Sequence, residues 1–154
     1  MARVIDPRRV EGRRSSGYPK HLADAVSGRS KSELTAHLGL TQFGVNVTTL
    51  LPGAMSAHRH WHEKEDECCY VLEGEITLVS DEGEQVLLPG MAVGFPAGEA
   101  NGHHLINRSD KPATYLEIGT RSSEERAHFP DVDMVAVKSG GKLQFLRKDG
   151  RPFE

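Results

Sequence analysis

The segment CCYVLEGEITLVSDEGEQVLLPGMAVGFPAG, residues 68–98, decides the fold class. Its apolar runs are short, and each one ends at a turn sequence rich in glycine, proline or acidic residues. These turns are Glu73-Gly74, Asp81-Glu82-Gly83, Pro89-Gly90 and Pro96-Ala97-Gly98. Short strands separated by turns every ~8–12 residues are typical of β-sandwiches and barrels. The segment therefore predicts an all-β domain.

The same pattern continues on both sides of this segment. Residues 41–53, TQFGVNVTTLLPG, are rich in β-branched residues and end in a Pro-Gly turn, which predicts a strand. Residues 103–120 and 132–150 each predict two strands joined by a polar turn. The polar segment between them, residues 121–131, predicts a loop or short helix. Residues 30–40 favour one or two helical turns that end at Gly39.

The chain ends suggest additions to a minimal barrel. Residues 1–30 are polar and rich in arginine, which predicts a solvated N-terminal arm. Residues 31–154 predict a single domain whose functional motifs lie within residues 53–107. The arm and a C-terminal hairpin lead us to expect a homodimer, because an arm that joins a partner's sheet also covers an exposed edge.

Composition excludes several classes of function. The 154 residues are 37% hydrophobic and 27% charged, which suits one globular domain. A net charge of −3 provides no basic face for nucleic acid, and no apolar run reaches the ~18 residues that span a membrane. The N-terminus lacks the apolar region of a secretory signal, so a cytoplasmic location is expected. The adjacent Cys68 and Cys69 predict two free thiols in a reducing compartment.

The pentapeptide HRHWH, residues 58–62, concentrates three of the eight histidines. If residues 57–61 form a strand, the three imidazoles share one face, and two at i and i+2 can converge on a metal ion. Three cannot easily do so, because the outer two start ~13 Å apart. The spacing predicts a ligating pair and one bystander. The alternative is a set of ordinary core or surface histidines without a metal.

Two later features extend this hypothesis. Glu67 begins the strand that returns after the turn, where its carboxylate can face His60 and His62, whereas His58 lies further away. Residues 63–66 are interpreted as a solvated turn. Either His103 or His104 can add a fourth ligand, and strand parity alone does not choose between them.

The residues form two motifs that resemble those of the cupin family. The first comprises Gly53, His60-x-His62, Glu67 and Gly74, and the second comprises Gly90, Pro96-x-Gly98, His103 and Asn107. The resemblance, over about residues 41–120, implies a double-stranded β-helix, or jelly-roll barrel. It also implies one divalent metal ion, Fe, Mn or Ni with Zn possible, bound by His60, His62, Glu67 and His103.

The resemblance implies a small-molecule ligand without identifying it. We expect a metalloenzyme with oxygenase, decarboxylase or isomerase chemistry, and the alternative is a non-catalytic module that binds or senses a carboxylate or sugar. The sequence identifies no separate acid–base pair. His58, Cys69 and Asn107 are expected to line the cavity or lie beside the ligands, and His104 is expected to face away from the metal.

Overall fold

The short strands follow the alternating apolar pattern of the sequence in a computed structural model that describes residues 1–153. Two short α-helices, α1 (Lys20–Ala23) and α2 (Thr35–Leu38), and two 3-10 turns, Pro7–Arg9 and Asp24–Val26, precede or interrupt them. No helix within residues 1–153 has the length and apolar character needed to cross a membrane. The strands are β1 (Arg29–Glu33), β2 (Phe43–Leu50), β3 (Trp61–His62), β4 (Glu67–Glu73), β5 (Ile76–Ser80), β6 (Gly83–Leu87), β7 (Ala92–Phe95), β8 (His104–Ile106), β9 (Ala113–Thr120), β10 (Glu125–Phe129), β11 (Met134–Ser139) and β12 (Lys142–Leu146).

The strands form three antiparallel sheets. The five-stranded sheet has the order β1-β2-β9-β4-β7, the four-stranded sheet β12-β11-β10-β3, and the three-stranded sheet β6-β5-β8. One hydrophobic core joins the five-stranded and three-stranded sheets, with Val71, Ile76, Leu105 and Tyr115 among its buried side chains. The predicted all-β jelly-roll barrel is confirmed.

Burial along β4 shows why the alternating pattern predicts these strands. Cys69 and Val71 face the core, whereas Cys68 and Tyr70 face outward, as the two-residue period of a strand requires. Tight turns that follow the strands contain glycines with positive φ, including Gly74 and Gly90. Such glycines adopt the left-handed conformation without a Cβ clash.

The loop or short helix predicted for residues 121–131 is wrong, because this segment contains β10. The strand pairs with β11 through Ala127 and Ala136, and with β3 through Ala127 and His62. Its alternate residues Ala127 and Phe129 are buried in a second apolar cluster. Glu125 is the third inward-facing residue of this strand and is buried. Because glutamate is rarely buried, the sequence does not show an apolar alternation here.

The N-terminal segment packs on its own chain. Arg13 forms a pair of backbone hydrogen bonds with Lys31 of β1, and Tyr18 and Leu22 contact the apolar cluster of the four-stranded sheet. Strand β1 crosses the boundary expected at residue 30. Of the one or two helical turns expected in residues 30–40, the structure has one, α2. Gly39 ends α2 in the left-handed conformation, as predicted.

Candidate metal centre

The histidine-rich segment forms a bent loop rather than the strand expected over residues 57–61. Only Trp61 and His62 are in β3, and His60 forms an isolated bridge to His103 through two backbone hydrogen bonds of 3.0 and 3.1 Å. The imidazoles of His60 and His62 nevertheless approach each other, with ring centroids 5.0 Å apart. The bridge to His103 brings the third ring to a centroid distance of 5.1 Å from His60.

Three imidazoles surround the carboxylate of Glu67 at the start of β4. The Oε2 atom of Glu67 lies 3.9 Å from His60 Nε2 and 3.6 Å from His62 Nε2. Its Oε1 atom lies 3.5 Å from His103 Nε2. The structure thus brings together the four residues that the resemblance to cupins implies as ligands.

The electrostatics of this cluster favour an ionised carboxylate. Burial alone would raise the pKa of Glu67, but the imidazoles of His103, His60 and His62, whose Nε2 atoms lie 3.5–3.9 Å from its carboxylate oxygens, hold it well below its usual range. Burial likewise opposes protonation of His62, yet the neighbouring Glu67 raises the pKa of His62 overall. The centre is therefore arranged around one negative charge that attracts cations.

Backbone carbonyls orient two of the rings. The Nδ1 atom of His60 lies 2.9 Å from the carbonyl oxygen of His58, and Nδ1 of His103 lies 2.9 Å from that of Asn101. A ring that donates its Nδ1–H to a carbonyl keeps a lone pair on Nε2 when neutral, which is the form that binds metals.

An unpartnered nitrogen shows that the residues fit a metal ion. The Nε2 atom of His103 is buried and has no hydrogen-bond partner within residues 1–153. Such a nitrogen, together with two more imidazoles and a carboxylate, is a donor set suited to a divalent first-row transition metal. The ring of Phe95 stacks on His103 and that of Phe129 on His60, so apolar walls support both imidazoles.

The other residues selected from the sequence have different surroundings. His58 turns away from the cluster, with Nε2 2.9 Å from the carbonyl oxygen of Leu22, although its own carbonyl orients His60. His104 lies 2.8 Å from the carbonyl oxygen of Ala57 through Nδ1 and borders the cavity. It is not one of the three imidazoles around Glu67.

Of the two other residues expected at the cavity, Cys69 borders it and Asn107 does not. Cys69 is part of the hydrophobic core and also borders the cavity. Asn107 closes a turn: its Nδ2 donates to the carbonyls of Leu50 and Lys111, and its Oδ1 accepts from Ser109. Asn107 is fully enclosed and is absent from the cavity wall.

A cavity of about 290 Å³ adjoins the four-residue cluster. Two ion pairs lie on its wall, one between Lys31 and Glu117 at 2.7 Å and one between Lys138 and Glu65 at 2.5 Å. Arg29 also borders the cavity. Sequence reasoning missed these charged residues, because each pair joins segments far apart in the chain and neither partner belongs to a recognisable motif.

Glu65 corrects the prediction of a solvated turn over residues 63–66. Its side chain is only 14% exposed, and its Oε1 atom accepts hydrogen bonds from Lys138 and from the backbone of Ser122. Glu125 lies beside it and accepts backbone N–H groups of Glu63 and Lys64. The carboxylates of Glu65 and Glu125 form with His62 a second group whose ligand atoms lie within 4.8 Å of one another.

Comparisons with known proteins identify relatives of this architecture. A family model described as a cupin domain matches residues 46–119. The chain is similar to the crystal structure of a sugar phosphate isomerase from a cupin superfamily, from Silicibacter pomeroyi, with 44% identity, a TM-score of 0.93 and coverage of 98% of this chain and 96% of that one.

Two further structures are more distant. A putative sugar phosphate isomerase from Acidithiobacillus ferrooxidans is 26% identical, with a TM-score of 0.76 and coverage of 86% of this chain and 84% of that one. A polyketide cyclase from Streptomyces resistomycificus shares the fold at 23% identity and a TM-score of 0.64, over 78% and 80% of the two chains. The search of curated proteins gave no match.

Proposed function

The chain belongs to the cupin superfamily, and from this membership we propose a metal-dependent enzyme that isomerises a sugar phosphate. One observation carries the proposal: three imidazole nitrogens and a carboxylate face each other beside a cavity that also contains acidic and basic side chains. The names of two similar structures support isomerase chemistry over the oxygenase and decarboxylase alternatives.

The residues proposed to bind the metal are His60, His62, Glu67 and His103. A divalent ion there would act as a Lewis acid that polarises a carbonyl or hydroxyl group of the substrate. The cavity, at about 290 Å³, is near the lower end of the range for small-molecule sites. The aromatic rings of Phe95 and Phe129 stack on the imidazoles of His103 and His60 and place apolar surface beside the proposed ligands.

Isomerisation of an aldose to a ketose requires a group that moves a proton. A base removes the proton from the carbon beside the carbonyl while the carbonyl oxygen takes up a proton, which gives an enediol. The base then returns its proton to the former carbonyl carbon, while the neighbouring hydroxyl loses its proton and becomes the new carbonyl. Glu65 is the carboxylate we assign to this task, because it borders the cavity and lies beside His62. Lys138 and the backbone of Ser122 fix the carboxylate through Oε1.

Turnover with defined substrates tests the proposal. Metal-loaded protein is incubated in D₂O with a panel of aldose and ketose phosphates, and the products are followed by NMR. We expect interconversion of at least one pair, with deuterium incorporated at the carbon that exchanges its proton. His103→Ala should abolish this reaction, whereas His58→Ala should retain it.

The outcome that contradicts isomerase function is binding without chemistry. If metal-loaded wild-type protein binds members of the panel but converts none of them, the non-catalytic binding alternative replaces the enzyme.

A further inference from the structure

Buried polar atoms without partners are concentrated at the cavity. Within residues 1–153, five buried side-chain nitrogen or oxygen atoms lack a hydrogen bond: Arg29 Nε, Thr48 Oγ1, His62 Nδ1, His103 Nε2 and Tyr115 Oη. Four of these belong to residues that border the cavity described above, and one of the four, His103 Nε2, is the nitrogen assigned above to the metal ion. Native proteins satisfy nearly all buried polar groups, so a concentration of exceptions indicates a place where a polar ligand completes the hydrogen bonds.

Arg29 differs from the other cations of this cavity. Lys31 and Lys138 each form an ion pair with a glutamate. Arg29 is only 9% exposed, and its guanidinium donates through Nη1 to the backbone carbonyl of Ser56. No carboxylate in the part of the chain that the structure describes forms an ion pair with it. Since arginine does not lose its charge in proteins, Arg29 is a buried cation that lacks an anion.

The strand register places other donors near this cation. Arg29 and Lys31 are two residues apart on β1 and therefore lie on the same face. Across the sheet, Lys31 is opposite Thr48 of β2, which is opposite Tyr115 of β9. Burial raises the pKa of Tyr115 well above its usual range, so its phenol keeps the proton that it can donate.

We propose that Arg29 anchors an anionic group of the substrate, with the hydroxyl of Tyr115 as a second donor. The ligand chemistry is that of an oxyanion, a phosphate or a carboxylate, which the guanidinium fork can bind through parallel hydrogen bonds. This assignment rests on the proposed function and extends it. In the proposed complex, Arg29 binds the anionic group of the substrate, and the reacting carbons lie at the metal centre.

Binding of inorganic phosphate and of acetate tests the anchor without turnover. Protein treated with a chelator is titrated with each anion by calorimetry, so that neither anion binds through a metal. Wild type should bind at least one of them, and Arg29→Met should weaken that binding at least about tenfold, because charge-assisted hydrogen bonds are lost. Arg126→Met is the matched control, since Arg126 is exposed on β10, and it should bind like wild type.

Thermal unfolding distinguishes an anchor from a structural role. If Arg29 is an anion-binding residue, the substitution removes a buried charge that has no partner in the absence of the anion. Without added anion, Arg29→Met should then unfold at the same temperature as wild type or at a higher one. A lower unfolding temperature together with unchanged anion affinity would assign Arg29 to packing. Should this variant fail to fold, Tyr115→Phe provides an isosteric test, with an expected loss of several-fold in affinity.

The two proposals fail in different ways. Phosphate or acetate binding that depends on Arg29, without turnover of any sugar phosphate, would retain the anchor and reject the isomerase. Turnover with a KM that is the same in wild type and Arg29→Met would retain the isomerase and reject the anchor. The anchor is also rejected if wild-type protein binds neither anion, or if wild type and Arg29→Met bind them equally.

Discussion

At the scale of single residues, hydrogen bonds to the ring nitrogens separate the roles of neighbouring histidines. His60 directs Nδ1 to a backbone carbonyl and presents Nε2 to Glu67, whereas His58 uses Nε2 itself on the carbonyl of Leu22. The sequence predicted one bystander among the three histidines of residues 58–62. It could not predict the carbonyl partners, because they depend on a bent loop and on contacts with α1.

The proposed base supplies a prediction at this scale. Glu65→Gln should lower kcat by at least about 100-fold, since general-base catalysis typically contributes 10²–10⁴-fold. Metal content should remain, because Glu65 is outside the four-residue cluster. The measurement is kcat on the substrate identified in the panel, with elemental analysis of the same sample. The matched control is Glu63→Gln, a partly exposed neighbour that pairs with His128. An unchanged kcat in Glu65→Gln would remove this residue from the mechanism.

At the scale of elements, the alternation of apolar and polar residues predicted strands correctly where the polar residues face solvent. It failed at β10, where Glu125 faces inward because its carboxylate accepts backbone N–H groups from the turn at residues 63–64. The prediction of a strand also failed around His58. There the chain forms a loop held by the side-chain hydrogen bonds of Arg59, not by pairing with a neighbouring strand. Both failures arise from polar interactions between distant segments, which hydrophobic periodicity does not report.

Arg59 links the histidine loop to three other segments through hydrogen bonds. It donates through Nη1 to Asp81 at 2.6 Å and to the carbonyl of Gly102 at 3.1 Å, and through Nε and Nη2 to Asp131 at 2.8 and 2.9 Å. Hydrogen bonds with Arg59 lower the pKa of both aspartates. Because their folded-state pKa values lie below the unfolded-state values, the pairs stabilise the fold above pH ~4 and lose this effect as pH falls through the folded-state values.

Removal of this arginine should change the acid dependence of stability. Arg59→Gln is expected to lower the free energy of unfolding by roughly 1 kcal/mol near pH 7, the upper end for partly exposed ion pairs. Its stability should also fall less steeply than that of wild type below pH ~4. Urea unfolding from pH 7 to pH 2.5 measures both effects. If the free energy of unfolding depends on pH in the same way in both proteins, Arg59 does not lower the pKa values of Asp81 and Asp131.

At the scale of the whole molecule, the barrel could be predicted because its motifs and turns lie within a continuous stretch of about 80 residues. The cavity charges could not, since Arg29, Glu65, Glu117 and Lys138 come from four separate segments. The N-terminal segment was expected to be a solvated arm, but Tyr18 makes edge-on contacts with the rings of Phe129 and Phe145 and borders the cavity.

The homodimer stays a prediction, although its physical basis changes. The N-terminal segment pairs with β1 of its own chain, so it is not needed to join a partner's sheet. Strands β6 and β7 instead form sheet edges, and apolar side chains near them are exposed: Leu72, Val86, Leu88 and Met91. Light scattering after gel filtration should give a mass twice that of the 16.9 kDa chain. The double variant Val86→Glu, Leu88→Glu should give a lower mass than wild type, because two exposed apolar side chains near the edge become charged. A monomer at tens of micromolar would contradict the dimer.

Elemental analysis tests the central claim most directly: that His60, His62, Glu67 and His103 together bind one divalent metal ion. Wild type, the four single alanine variants and His58→Ala as control are reconstituted at neutral pH and checked for folding. We predict about one equivalent of a first-row metal in wild type and His58→Ala, and its loss in the four folded ligand variants. A folded wild type that retains no such metal, or metal that survives His62→Ala but not His58→Ala, would contradict the site.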